Sequence, residues 1–196
     1  MTPKIIFKYS WIYDKNMEQW SKSYRTWKYP SSEETLRYIK KIEPLWRKYE
    51  SQVLKELAKV TGLSWKEKSI TAYVVGSCRP FSDPLTLRVM KDTNAFIDTL
   101  IHESIHQLFI QEGNIKTWKK GWGYTYRKYK KESETTRIHI PLHAIHEHIF
   151  RKFFDEKRLQ SELNSVADSP DYKRTWEIVQ KNGYKNIIQA MRERSL

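Results

Sequence analysis

Residues Thr99-Leu-Ile-His-Glu-Ser-Ile-His-Gln-Leu108 set two histidines four apart, with a glutamate directly after the first. On a helix, His102 and His106 fall one turn apart on one face, so both imidazoles can reach one metal ion. Glu103 then lies beside that face, where a carboxylate can act on a water in the ion's open position. The flanking residues supply the helix. Thr93 or Asn94 can cap its start, residues 95 to 111 hold neither proline nor glycine, and Gly113 can close it. At about 100° per residue, Phe96, Ile97, Leu100, Ile101, Ile105, Leu108, Phe109 and Ile110 spread nearly all round, which marks a buried helix. Unpaired imidazoles and a carboxyl are costly there, and a metal would satisfy them. The same spacing would also suit surface histidines beside a salt bridge, but Ile and Leu on both sides argue against that.

This stretch resembles the extended signature of the zincin metallopeptidases, with uncharged residues around the paired histidines and an apolar one closing it. The resemblance extends over about residues 70–155, and the five residues from His102 to His106 are its specific core. It implies a zinc ion (Zn2+) as cofactor, Glu103 as general base and acid, and hydrolysis of a peptide or protein substrate. The order of a strand then paired helices, with the small size, resembles the minimal gluzincin-like, soluble zincins, although the metzincin pattern is excluded and the thermolysin-like ligand pattern fails. The metzincin pattern needs Gly and His at 109 and 112, where this chain has Phe109 and Glu112. The thermolysin-like gluzincins use a Glu followed four residues later by Asp. Glu132, Glu134, Glu147 and Glu156 are followed there by Thr136, Ile138, Arg151 and Gln160.

A third protein ligand is expected of a catalytic zinc. His139, His143, His146 and His148 complete the chain's six histidines. The run from Ile140 to Phe154 has helical spacing, with Pro141 in a first turn, where proline is tolerated. Leu142, Ile145, Ile149, Phe150, Phe153 and Phe154 mark its inward side. His139, His143 and His146 project on or near that side, and His148 projects away. His143, well inside the helix, is favoured as the third ligand. His139 is either the ligand or a donor to the transition state, and Glu147 is the alternative ligand. These histidines are otherwise ordinary interfacial ones. Asp98, one turn before His102, either orients that imidazole through its other nitrogen or simply suits the helix dipole.

Composition bounds the rest. At 196 residues and 39% hydrophobic, the chain can bury a sizeable core. No apolar run reaches the length of a membrane span, and Lys4 and Lys8 break any signal-peptide core. The single cysteine, Cys78, forbids an intramolecular disulfide and fits a reducing, cytoplasmic setting as a small buried hydrophobe. The net charge of +13 is dispersed over 36 basic residues. One segment stands out: Lys116–Lys131 holds seven basic residues, no acid, and Trp118, Trp122, Tyr124, Tyr126 and Tyr129. Basic charge interleaved with aromatic faces suits single-stranded nucleic acid or an acidic peptide, or else a solvated loop. Gly121-Trp122-Gly123 predicts a hairpin or a loop there.

The elements predict one α+β domain: a zincin-like fold with a small sheet packed on the motif helix and a second, ligand-bearing helix. A strand over Ile5 to Tyr9 precedes an irregular stretch to Pro30. Ser31 and Glu34 form a capping box that opens a helical region interrupted at Pro44 and ending at Gly62, so residues 1–62 make an N-terminal part. Residues 70–155 are the catalytic unit, with strands Ile70 to Val75 and Leu85 to Val89, the second offering an edge for substrate. Residues 165–196 form two C-terminal helices, starting at Ser169-Pro170 and Tyr184, which could cover the cleft through Asp168 or Asp171. Three functions follow: a zinc peptidase, a zincin acting on or binding protein–nucleic acid complexes, or a non-catalytic protein that retains metal.

Overall fold

Five helices open the same way, with a side-chain oxygen accepting a backbone N–H of the first turn. Ser10 Oγ accepts from Tyr13 at 3.4 Å and Ser31 Oγ from Glu34 at 3.2 Å. Asp92 accepts from Asn94 at 2.8 Å, Ser133 from Thr136 at 3.0 Å and Asp155 from Arg158 at 2.8 Å. The computed structural model describes residues 1–23 and 25–195. In chain order its elements are β1 (Lys4–Lys8), α1 (Trp11–Ser21), α2 (Ser32–Arg47), α3 (Glu50–Thr61), β2 (Ser69–Val75), β3 (Phe81–Ser82) and β4 (Leu85–Arg88). There follow α4 (Thr93–Ile110), α5 (Asn114–Lys128), α6 (Glu134–Phe153), α7 (Glu156–Ser165), α8 (Pro170–Asn182) and α9 (Tyr184–Ser195). The chain is α+β and divides into two compact units. The first comprises residues 1–54 and 67–107, the second residues 55–66 and 108–196.

The first unit carries the sheet, in the order β1-β2-β4-β3. β1, β2 and β4 are parallel, with Ile5 beside Ile70 and Tyr73 beside Thr86, and β3 runs antiparallel to β4. β4 is therefore interior and its two-residue neighbour β3 forms the edge, so the edge expected of residues 85–89 lies one strand further out. The opposite edge, β1, is covered: Ile5 N–H donates to Glu50 Oε1 at 2.7 Å and Ile5 O accepts from Arg47 at 2.9 Å. Such covering removes the free strand groups on which other chains could pair. α1 replaces the expected irregular stretch because Ser10 caps it and Asp14, Met17 and Ser21 are buried along one side. Asp14 then ties the loop after β2 to α1, accepting the Tyr29 hydroxyl at 2.6 Å and Gly76 N–H at 2.8 Å. A Cβ on Gly76 would sit 2.5 Å from the Tyr29 ring, so only glycine fits there. α2 runs through Pro44 and ends at Arg47, three residues beyond the expected break.

The second unit is helical. α6 packs on α8, α9 and α7, and α5 packs on α9. α6 starts at Glu134, six residues before the predicted start, because Ser133 is the capping residue. Pro141 thus lies inside the helix, where its missing N–H costs one backbone hydrogen bond. Residues 114–128 are a helix and not a hairpin, and a Cβ at Gly121 explains the difference. It would meet Ser195 Oγ at 2.8 Å and Met191 Cε at 3.0 Å, so the glycine serves a close helix–helix contact and not a turn. Trp118, fully buried, stacks on Phe109 with centroids 4.6 Å apart.

Candidate metal centre

In the first unit, α4 presents the motif as the spacing predicts. Phe96, Ile97, Leu100, Ile101 and Ile105 are buried, and Phe96 lies 6.0 Å, centroid to centroid, from Phe7 of β1. The Gln107 amide donates to Ser82 O on β3. Against this anchored background His102 and His106 are half-buried, their ring centroids 5.1 Å apart. Glu103 is 7% exposed and makes no hydrogen bond or ion pair among the described residues. Burial pushes its carboxyl up to about 8. The residue is largely buried while its carboxyl oxygens keep access to solvent, and a carboxyl whose pKa is raised this far is a candidate for a functional site. Asp98 is buried one turn before His102, where either role expected of it is open to it. Cys78 is buried, and burial pushes its thiol up to about 12, which suits a structural and not a reactive cysteine.

In the second unit, α6 carries the remaining histidines and gives each a different setting. His139 Nδ1 lies 2.8 Å from the carbonyl oxygen of Thr135. A carbonyl only accepts, so Nδ1 carries the proton and Nε2 is the ring's lone-pair nitrogen. That is how metal-ligating histidines are usually held. Burial lowers the His139 pKa, opposed in part by the Thr135 carbonyl. His143, favoured as the ligand from sequence, is fully buried and stacked on Trp176, centroids 4.5 Å apart and planes 20° apart. His146 lies against Phe150 at 4.6 Å, and burial drives its pKa down to about 3. His148, expected to project away from the inward side, is half-buried and contacts Glu56 Oε1 at 2.8 Å.

Glu147 is engaged through both oxygens, by Arg151 at 2.8 Å and Gln180 at 2.7 Å. That is the setting of a structural carboxylate. Asp171 accepts the Ser133 and Thr136 hydroxyls and so fastens α8 to the start of α6. Two residues outside the sequence reading lie against these histidines: Tyr172, with its ring 4.6 Å from the His139 ring, and Trp176, against His143. Their signal was available. Tyr172 and Trp176 are four apart on one helix, as His139 and His143 are on another, and matched spacings stack ring on ring. Among the described residues no helix is long and apolar enough to cross a membrane. Comparison of the chain with protein-family models, curated proteins and solved structures finds no match.

Proposed function

We propose that this protein is a zinc-dependent peptidase in which His102 and His106 of α4 hold the ion, with His139 of α6 proposed as third ligand on the chemistry of its own ring. The observation that carries the reading is Glu103, a largely buried residue with no hydrogen bond or ion pair among the described residues, next to the half-buried His102 and three residues before the half-buried His106 on one helix. The donor set fits: three neutral imidazoles suit zinc and leave room in its coordination for a reactant. His139 is preferred to His143 as third ligand because its Nδ1 proton is spent on Thr135, whereas the His143 ring is enclosed against Trp176. A bound zinc supplies Lewis acidity, polarising a carbonyl oxygen and making water a better acid.

The residues do the proton work. Glu103, as the carboxylate, takes a proton from the attacking water while the water oxygen bonds to the carbonyl carbon. It then returns that proton to the amide nitrogen as the carbon–nitrogen bond breaks, releasing an amine and a carboxylic acid. Burial raises the pKa of this carboxyl in the metal-free chain and a neighbouring cation would lower it again, so the two opposing influences suit a group that must both take and return a proton. The test is hydrolysis of a fluorogenic general peptide substrate by zinc-loaded protein. Turnover should be abolished by a chelator, restored by zinc, and lost in Glu103→Gln. Stoichiometric zinc without turnover on a broad peptide library would sink the peptidase reading and favour a metal-retaining binding protein.

A further inference from the structure

The basic and aromatic segment from Lys116 to Lys131 separates into two sets of residues once it is folded as α5. On one face Trp118 and Trp122 pack against Phe109, stacked at 4.6 Å and edge-on at 5.7 Å, and Gly121 lies against α9. Those residues are core. Tyr124 and Tyr126 lie on opposite sides of α5 and Tyr129 just past its end; all three stay partly exposed, and cations lie over their rings. Arg194 is 4.1 Å from the Tyr124 centroid, Arg137 4.4 Å from Tyr126, and Lys128 5.2 Å from Tyr129. Acids do reach this surface, with Glu193 4.0 Å from Arg194, but none lines the cavity beside Lys128. Glu132 pairs with Arg174 at 2.7 Å and Glu134 accepts the Tyr126 hydroxyl at 3.3 Å.

Beside Lys128 the same unit holds a cavity of about 240 Å³, lined by Tyr124, Lys128, Tyr129, Asn182, Asn186 and Ile187, with no acid in its wall. Asn182 spends an amide N–H on Ile178 O at 2.8 Å, and Asn186 one on Asn182 O at 2.9 Å. Each keeps Oδ1 as an acceptor. The wall therefore combines a cation, two aromatic rings, an apolar side chain and amide acceptors. An acidic peptide could use the cations and the remaining amide N–H groups, but its carboxylates would leave the aromatic faces and the amide acceptors unused. A nucleotide uses everything: the phosphate takes the cation, the base takes an aromatic face, and the base's N–H edge takes an acceptor.

We propose that this surface of the second unit binds single-stranded nucleic acid, with one base entering the cavity beside Tyr129 and adjoining phosphates meeting Lys128, Arg127 and Arg194. The inference is independent of the metal centre, since none of these residues belongs to it. The experiment is fluorescence anisotropy of a labelled 12-nucleotide oligo(dT) or oligo(U) titrated with the full chain over a series of salt concentrations. Binding should weaken linearly in log salt, and Lys128→Gln should reduce the slope by about 0.7, the loss of one phosphate contact on a single strand. Tyr129→Ala should weaken binding about 5- to 100-fold, the range for one stacked base. Tyr129→Phe, which keeps the ring, should bind like the parent and shows that loss in the alanine variant is not loss of fold. No binding at low salt overturns the proposal. So does equal affinity for a duplex, or polyglutamate competing as well as unlabelled oligonucleotide, which would make this a charge-reading surface for acidic proteins. Unaltered affinity in Tyr129→Ala would remove the cavity from the interaction.

Discussion

Glu103→Gln isolates the energetic cost of the buried carboxyl. Desolvation raises the Glu103 pKa from 4.5 to about 8 in the folded, metal-free protein. Between those values the folded chain holds a proton that the unfolded chain has released. Stability from this group is then fully present below 4.5 and is lost as pH rises through about 8. At about 1.4 kcal/mol per pH unit, the cost reaches about 3 kcal/mol at pH 7 and about 5 kcal/mol above pH 8. Glutamine has nearly the same shape and does not titrate, so the variant escapes this cost. For a chain of this size about 1 kcal/mol moves Tm by about 2–4 °C. In chelator at pH 7, Glu103→Gln should therefore melt roughly 6–12 °C above the parent, and the gap should nearly close at pH 5. The assay is parallel thermal melting followed by circular dichroism from pH 5 to 9. A gap that does not change with pH, or one of opposite sign, refutes the assignment of a buried, unpaired carboxyl at position 103. Saturating zinc should narrow the gap, because a neighbouring cation favours the carboxylate.

Elemental analysis should find about one zinc per chain, lost in His102→Ala, His106→Ala and His139→Ala but kept in His143→Phe. Zinc retained in His139→Ala and lost in His143→Phe would return the third-ligand role to His143. Burial holds the His139 pKa below 6.5, so protons compete with metal at His139 only in more acidic solution. Glu147→Gln should keep its zinc but lower stability by about 1–3 kcal/mol, the worth of a buried charged hydrogen bond, as read from denaturant melts. Deleting residues after Ser165 removes buried Trp176, Val179 and Met191 from the second unit. The deletion should therefore abolish cooperative melting and not release a latent activity; a folded, more active truncation would restore the cleft-covering role to those helices.

Helix ends and strand patterns were legible because they are local. The capping box at Ser31 and Glu34, the strands beginning at Leu85 and near Ile70, and the helices starting at Pro170 and Tyr184 lie where their own residues put them. The failures were of another kind. Gly121-Trp122-Gly123 has the composition of a turn, and what makes it helical is α9, whose Met191 and Ser195 occupy the space a side chain would need. Pro141 carries the signal of a helix start, yet the capping serine lies eight residues earlier and the packing of α6 absorbs the lost hydrogen bond. The choice between His139 and His143 was illegible for the same reason. A helical wheel separates inside from outside. It does not say which inward histidine meets a tryptophan on another helix and which sets a ring nitrogen against a backbone carbonyl.

That distinction also bears on how stability and the proposed chemistry are coupled. The sequence places a carboxyl at position 103 in a helix whose other residues demand burial, and nothing among the described residues offers it a hydrogen bond. Without metal the folded state resolves the conflict by holding a proton on Glu103, so the cost grows as solution becomes alkaline. A cation bound by the neighbouring imidazoles reverses this preference, because the charged carboxylate then gains an attraction that offsets its desolvation. Metal binding and deprotonation of Glu103 should thus favour one another. The group proposed to accept a proton from water would become competent only when the ion is in place. Mutual dependence of this kind has a thermodynamic signature: zinc affinity that rises with pH more steeply in the parent than in Glu103→Gln. Both proteins lose the same imidazole protons, so the difference between their slopes belongs to Glu103. Equal slopes from pH 6 to 8 would mean that the carboxyl and the ion do not sense each other, and Glu103 would then have no part in proton transfer at this site.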